Sequence, residues 1–192
     1  MIKNLVFDIG GVILTELTVD YFDLNEDEKK NLNKIIFHDK RFRKCLNGDM
    51  KVEEYLSELI KENCQYKKEI EMILSSKYQK DMLPIKKEVI DLIYKLKKDY
   101  NIYFLSNLTD VSYDYLYNEV GILKDFPGIY SFKEHMQKPS EEIYELLIKR
   151  FNLRKEETVF FDNTQKNVDA GNRAGIKSVL FKDISDILNN IN

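Results

Sequence analysis

The segment Leu5-Val6-Phe7-Asp8-Ile9-Gly10-Gly11-Val12-Ile13 does most to limit what this chain can fold into. An apolar run ends in an aspartate, and two glycines follow. Such a run reads as a buried strand that carries a carboxylate to its C-terminal tip. In open α/β sheets, ligands bind just outside the carboxyl ends of the strands. The pattern recurs late in the chain, where Thr158-Val159-Phe160-Phe161 runs into Asp162. Two carboxylates on two strand tips, far apart in sequence, point to one metal-assisted active site.

Further short runs rich in Val, Ile, Phe and Tyr predict strands over 2–7, 101–105, 129–132, 158–161 and 176–181. Helical periodicity falls between most of them. Over 86–99, Val89, Ile90, Ile93 and Leu96 share one stripe, with Asn101 marking the exit. Over 140–151, Ile143, Leu146, Leu147 and Phe151 do the same, with Ser140 as the expected N-cap. This alternation argues for a parallel sheet with helices on both faces. Residues 15–82 break the alternation. They hold helical segments near 26–37, 51–63 and 67–80, with a turn at Asn47-Gly48-Asp49, and they return to the sheet near Leu83-Pro84. The expected organisation is a core of residues 1–14 and 83–192, with residues 15–82 as a helical insertion above the strand tips, where substrate-selecting caps belong.

Composition excludes several classes. The net charge of −3 offers no basic excess for counterion release, so nucleic acid is not an expected partner. Cys45 and Cys64 have no metal-like spacing and only His38 and His135 are present, so a structural zinc site is not expected. Low cysteine usage fits a reducing cytoplasm. The first residues read as a strand rather than a signal peptide, and no apolar run of about 18 residues predicts a membrane span. The two histidines read as structural or exposed; His135 is close enough in sequence to Lys138 to be considered as a substitute acid.

Four positions suit phosphoryl transfer. A carboxylate such as Asp8 can attack phosphorus and form an acyl phosphate. Mg²⁺ prefers oxygen ligands, which Asp8, Asp162 and the backbone carbonyl of Gly10 can supply. Ser106 and Asn107, after the apolar run Ile102-Tyr103-Phe104-Leu105, can hold phosphate oxygens. Lys138, just before Pro139, supplies a positive charge against both the phosphate and the attacking carboxylate. Asn163 and Asn167 follow Asp162 closely enough to support it.

In these residues the chain resembles the haloacid dehalogenase (HAD) superfamily, in its phosphatase branch. Phe7-Asp8-Ile9-Gly10-Gly11-Val12 resembles the first motif, Leu105-Ser106-Asn107 the second, Lys138-Pro139 the third and Phe160-Phe161-Asp162-Asn163 the fourth. The stretch from Asn167 to Ile176 is also similar to the family. Within the branch, the likeness is to small-capped α-D-glucose-1-phosphate phosphatase-like members. The resemblance implies an α/β, Rossmann-like core with a small helical cap after the first strand. It implies Asp8 as nucleophile, Ser106 and Lys138 as phosphate ligands and Asp162 as a Mg²⁺ ligand. The implied partner is a small phosphorylated metabolite, a sugar phosphate among the candidates, and the expected assembly is a monomer or weak homodimer.

Two positions depart from the family pattern. Most such phosphatases carry a second Asp two residues after the nucleophile, as general acid and then base; here that position is Gly10. Acid–base help is worth about 10²–10⁴-fold, so activated leaving groups should suffer least from its loss. Asn163 stands where many relatives have another Asp, which predicts weaker Mg²⁺ binding. Two alternatives follow. One is a hydrolytic dehalogenase, although the halide-binding Arg expected soon after the nucleophile is missing and the first arginine is Arg41. The other is a regulatory protein that binds a phosphometabolite without turning it over.

Overall fold

The computed structural model describes residues 1–191. In chain order the strands are β1 (Asn4–Phe7), β2 (Asn101–Ser106), β3 (Gly128–Tyr130), β4 (Thr158–Asp162) and β5 (Lys177–Leu180). Between β1 and β2 lie α1 (Glu26–Phe37), α2 (Lys40–Asn47), α3 (Val52–Glu62), α4 (Lys67–Leu74), α5 (Gln79–Met82) and α6 (Lys87–Leu96). Then α7 (Asp110–Tyr115) and α8 (Ile122–Asp125) precede β3, and α9 (Ser131–Glu134) and α10 (Glu141–Arg150) precede β4. Finally, α11 (Gln165–Arg173) and α12 (Ile184–Leu188) lie on either side of β5 in sequence.

The five strands form one sheet in the order β3-β2-β1-β4-β5, and every neighbouring pair is parallel. This is the expected α/β, Rossmann-like architecture. The pleat explains why Leu5, Val6 and Phe7 of β1 are all apolar. Leu5 and Phe7 join one core cluster with Val89 and Ile93 of α6, Leu116, and Ile187 of α12. Val6 points the other way and joins Ile143, Tyr144 and Leu147 of α10 and Ala170 of α11. A strand covered on both faces has no solvent side on which to place polar residues. Phe7 and Phe161 stack across β1 and β4 with ring centroids 5.3 Å apart.

The order of the strands also sets the site. The chain crosses from β1 to β2 and β3 on one side, then returns past β1 to β4 and β5 on the other. Ligands bind at such a reversal point, beyond the carboxyl ends. In register, Phe7 pairs with both Phe104 and Phe161, so Asp8, Ser106 and Asp162 emerge together at one edge.

Helices α1–α5 build a third cluster whose fully buried members, Val19 to Met82, come only from this segment. Asn25 opens α1 through a capping box with Glu28. Helix α2 escapes sequence reading because it is short and mostly charged; its Phe42, Cys45 and Leu46 nevertheless lie on one face. The segment predicted as one helix over 67–80 is broken. Helix α4 stops at Leu74, Ser75 turns extended and its side chain accepts from the Lys77 amide, and α5 begins at Gln79. A serine that can bond its own backbone favours such a break. Helix α10 has acids in its first turn and basic residues in its last, but Ser140 makes no side-chain capping bond. The run predicted as a strand over 129–132 ends at Tyr130, because Ser131 and Phe132 already belong to α9.

The helical segment rests on the core at several points. Gly48 ends α2 at φ +77°, and a Cβ there would lie 2.0 Å from the Phe132 carbonyl oxygen, so only glycine allows this approach. Gln137 Nε2 donates to the Arg43 carbonyl at 2.8 Å, and Ser112 Oγ donates to Gln79 Oε1 at 2.9 Å. No helix among the described residues is long and apolar enough to cross a membrane.

Candidate active site

Asp8 stands one residue beyond β1, almost fully buried, and its Oδ1 accepts from the Ile9 amide at 2.7 Å. Lys138 reaches it from the loop before α10, with Nζ 2.9 Å from Asp8 Oδ1 and 2.6 Å from Asp162 Oδ2. The lysine side chain is 1% exposed and the Asp162 side chain is 0% exposed, so this bridge is dry. One ammonium therefore faces two carboxylates inside the protein.

Each partner is held in turn. Asp162 Oδ1 accepts from the Thr164 amide at 2.8 Å, and Asn167 Nδ2 donates to both Asp162 oxygens at 3.2 and 3.0 Å. Asn107 clasps the Lys138 backbone: its Nδ2 donates to the Lys138 carbonyl at 2.9 Å and its Oδ1 accepts from the Lys138 amide at 2.9 Å. The Lys138–Pro139 peptide is cis. Ser106 ends β2 beside this cluster, 1% exposed. Burial pushes the Asp8 carboxyl up to about 6; the neighbouring Asp162 charge adds to the rise, and Lys138 and Ser106 oppose it.

The sequence candidates thus converge: Asp8, Ser106, Lys138 and Asp162 meet at the strand tips, with Asn107 and Asn167 bracing them. A cavity of about 480 Å³ opens above, lined by Asp8, Gly10, Asn107, Lys138, Asn163 and Asn167 among others. This volume suits a small-molecule site. Ser106 and Asp162 lie behind the cavity wall rather than on it. Asn163 lies beside Asp162 in the chain, but its Nδ2 donates to Glu16 Oε1 and packs against Gly11, where a Cβ would lie 2.1 Å away. His135 pairs with Asp49 at 3.2 Å, away from the cavity lining.

Sequence reading missed Thr15, Glu16, Gln79 and Lys166 in the cavity lining, and Lys86, whose Nζ donates to the Gly11 carbonyl. Thr15 and Glu16 had a usable signal, their place just after the first strand–turn. Lys166 lies between the site residues Asp162 and Asn167 in the chain, whereas Gln79 and Lys86 come from elements that no local pattern ties to the site.

The donor set suits a hard divalent cation. No group of three or more His, Cys, Asp or Glu side chains among the described residues forms a metal cage. Mg²⁺ does not need one, since it is commonly held by one or two carboxylates with water and phosphate oxygens. Asn167 Oδ1 is buried without a hydrogen-bond partner beside Asp162, and two carboxylates share one ammonium. That corner has an excess of oxygen acceptors over positive charge.

A family model for haloacid dehalogenase-like hydrolases matches residues 2–175. The chain belongs to this family. Solved structures agree with the fold. An HAD family enzyme from Bacteroides thetaiotaomicron, in complex with magnesium and inorganic phosphate, is 23% identical with a TM-score of 0.70, covering 95% of each chain. A predicted HAD-like hydrolase from Porphyromonas gingivalis is 23% identical, with a TM-score of 0.70, covering 100% of this chain and 98% of its own. A dehalogenase is 15% identical, with a TM-score of 0.68, covering 93% of this chain and 84% of its own. Within this HAD-like hydrolase, the strand-tip cluster sets the buried, ion-paired Asp8 and Lys138 on the lining of a cavity of substrate size.

Proposed function

We propose that this HAD-like hydrolase is a Mg²⁺-dependent phosphatase that acts on a small phosphorylated metabolite through an aspartyl-phosphate on Asp8. The observation that carries the reading is the Asp8–Lys138–Asp162 bridge at the floor of the cavity. The Asp8 carboxylate attacks phosphorus as the bond to the leaving-group oxygen breaks, and water then releases inorganic phosphate and restores the carboxylate. Lys138 offsets repulsion between the anionic nucleophile and the anionic substrate. Ser106 orients Asp8, and Asn107 fixes the backbone that carries Lys138. Asp8, Asp162 and the Gly10 carbonyl would hold Mg²⁺, which supplies charge stabilisation for the transferring phosphoryl group. Residues 15–82 act as the cap that closes over the substrate. The magnesium and phosphate bound to the Bacteroides protein support this reading by analogy. Against hydrolytic dehalogenation, no arginine lines the cavity to hold a halide.

The direct test is phosphate release from acetyl phosphate with Mg²⁺ and after chelation. Release that stops on chelation and resumes with Mg²⁺ is expected. Acetyl phosphate left intact by folded protein that still binds Mg²⁺ would instead favour the non-catalytic binding reading.

Gly10 gives a second expected result. A Cβ at Gly10 meets nothing within 4 Å, and the residue lines the cavity. Gly10→Asp therefore fits and places a carboxyl where a leaving group departs. The variant should gain about 10²-fold in kcat on a simple alkyl phosphate, the low end of what a positioned acid supplies. It should gain little on acetyl phosphate, whose leaving group needs no proton. Equal gains on both substrates would show that Gly10 does not stand in for a missing acid.

A further inference from the structure

From the part of the cavity wall built by helices α1–α5 we infer that the substrate's non-phosphate part is an apolar ring or branched hydrocarbon, not a sugar. This rests on the phosphatase reading and narrows it. Helices α1–α5 contribute Phe37, Phe42, Leu46, Val52, Ile73 and Leu74 to the lining, and Gln79 is the one polar residue they add. The charged lining residues Asp8, Glu16, Lys138 and Lys166 lie outside these five helices, Glu16 together with Thr15 on the stretch that leads into them.

Gln79 is not free to greet a hydroxyl. It is 2% exposed, its Oε1 accepts from Ser112 Oγ at 2.9 Å, and its Nε2 donates to the Ile73 carbonyl at 3.4 Å. Ser112 is in turn tied to Thr109, whose Oγ1 accepts from the Ser112 amide at 3.3 Å and also bonds the Ser112 hydroxyl at 3.2 Å. The side chains of Gln79, Ser112 and Thr109 thus satisfy one another, and Thr15 Oγ1, on the lining outside these helices, is the polar atom left without a partner. Phe37 and Phe42 meet edge to face with centroids 5.3 Å apart, and both are only half-buried, so aromatic surface remains for a ligand.

A hexose brings several hydroxyls that must keep their hydrogen bonds once water leaves. On this wall they would find carbon, and each unmatched hydroxyl weakens binding by about tenfold or more. A ring without hydroxyls loses nothing there and gains apolar burial. The break at Ser75 makes the wall, because it ends α4 with Ile73 and Leu74 facing the cavity and starts α5 with Gln79. Gly10 points the same way by a separate route. A site with no acid beside the leaving group favours esters that leave unprotonated, and aryl phosphates combine that property with an apolar ring.

The test uses a matched pair as competitive inhibitors of acetyl phosphate hydrolysis by the wild-type protein with Mg²⁺. Cyclohexylmethyl phosphate and glucose 6-phosphate share ring size and the CH₂–O–P linkage and differ in the polar groups, the hydroxyls and the ring oxygen. Inhibition constants avoid any difference in leaving-group reactivity. Cyclohexylmethyl phosphate should bind at least tenfold more tightly, and in Phe42→Asn that ratio should fall toward one. Equal binding, or tighter binding of glucose 6-phosphate, overturns the apolar assignment while leaving the phosphatase intact. A ratio unchanged in Phe42→Asn overturns the role given to this wall. Failure of the wild type to hydrolyse acetyl phosphate at all overturns the phosphatase reading and this inference with it.

Discussion

Asp8→Asn is expected to abolish turnover and, without metal, to make the protein more stable at neutral pH. The amide cannot attack phosphorus, and loss of a nucleophile that acts as part of a unit costs on the order of 10⁴-fold or more. The gain in stability follows from burial. The folded-state pKa of Asp8 is raised from 3.8 to about 6, so between these values the folded protein holds a proton that the unfolded chain has released. Stability from this site is fully present below about pH 4 and is lost as pH rises through about 6. Above that, keeping Asp8 ionised costs the fold about 3 kcal/mol, at about 1.4 kcal/mol per pKa unit. Asparagine resembles the protonated acid and escapes this cost. Urea unfolding of both proteins in chelator should show the variant ahead at pH 8 and the two nearly equal at pH 4. Saturating Mg²⁺ should narrow the gap at pH 8, since a cation beside Asp8 stabilises its ionised form. A variant no more stable than wild type at pH 8 would mean that Lys138 compensates the buried carboxylate fully.

The parts of this molecule that were legible in the sequence are those where one physical demand acts alone. Strands β1 and β4 must be apolar on both faces, so Leu5 to Phe7 and Val159 to Phe161 stand out, and the carboxylate ending each run marks the site. Lys138 and Asn107 carry no such local mark; their side-chain chemistry suits a phosphate site, and the family resemblance added weight to Lys138. The mutual clasp of Asn107 with the Lys138 backbone depends on a contact between residues 31 apart in sequence. The cavity wall was harder still. Phe37 and Phe42 pack against the insertion's own core and line the cavity as well, and a residue serving both purposes has the same hydrophobic signature as one serving either. Helix α2 was hidden by its charge, since Arg41 is held by Asp39, Glu58 and Glu62, partners that only the fold assembles.

Lys138→Met is expected to cost about 3–5 kcal/mol, the range for removing one member of a buried ionic group and stranding the rest. Methionine keeps the length of the side chain, so the loss comes mainly from charge rather than from a cavity. Two carboxylates would then face each other in the interior with no cation between them, and Asp162, at 0% exposure, has no water to turn to. Protonation of Asp8 in the fold becomes easier still without the ammonium that opposes it, so the sign of the pH dependence is fixed. The deficit should be largest at pH 8 and shrink as pH falls toward 5, where Asp8 takes up a proton. Mg²⁺ should recover part of the stability by supplying positive charge to the same carboxylates, and turnover should stay low, because the ammonium facing the nucleophile is gone. Thermal unfolding of variant and wild type across pH 5–8, with and without Mg²⁺, reads all three effects. A deficit that is the same at every pH would assign the loss to packing of the lysine stem. A deficit that grows with pH and closes with Mg²⁺ would show that one charge balance governs both the fold around the strand tips and the chemistry proposed for them.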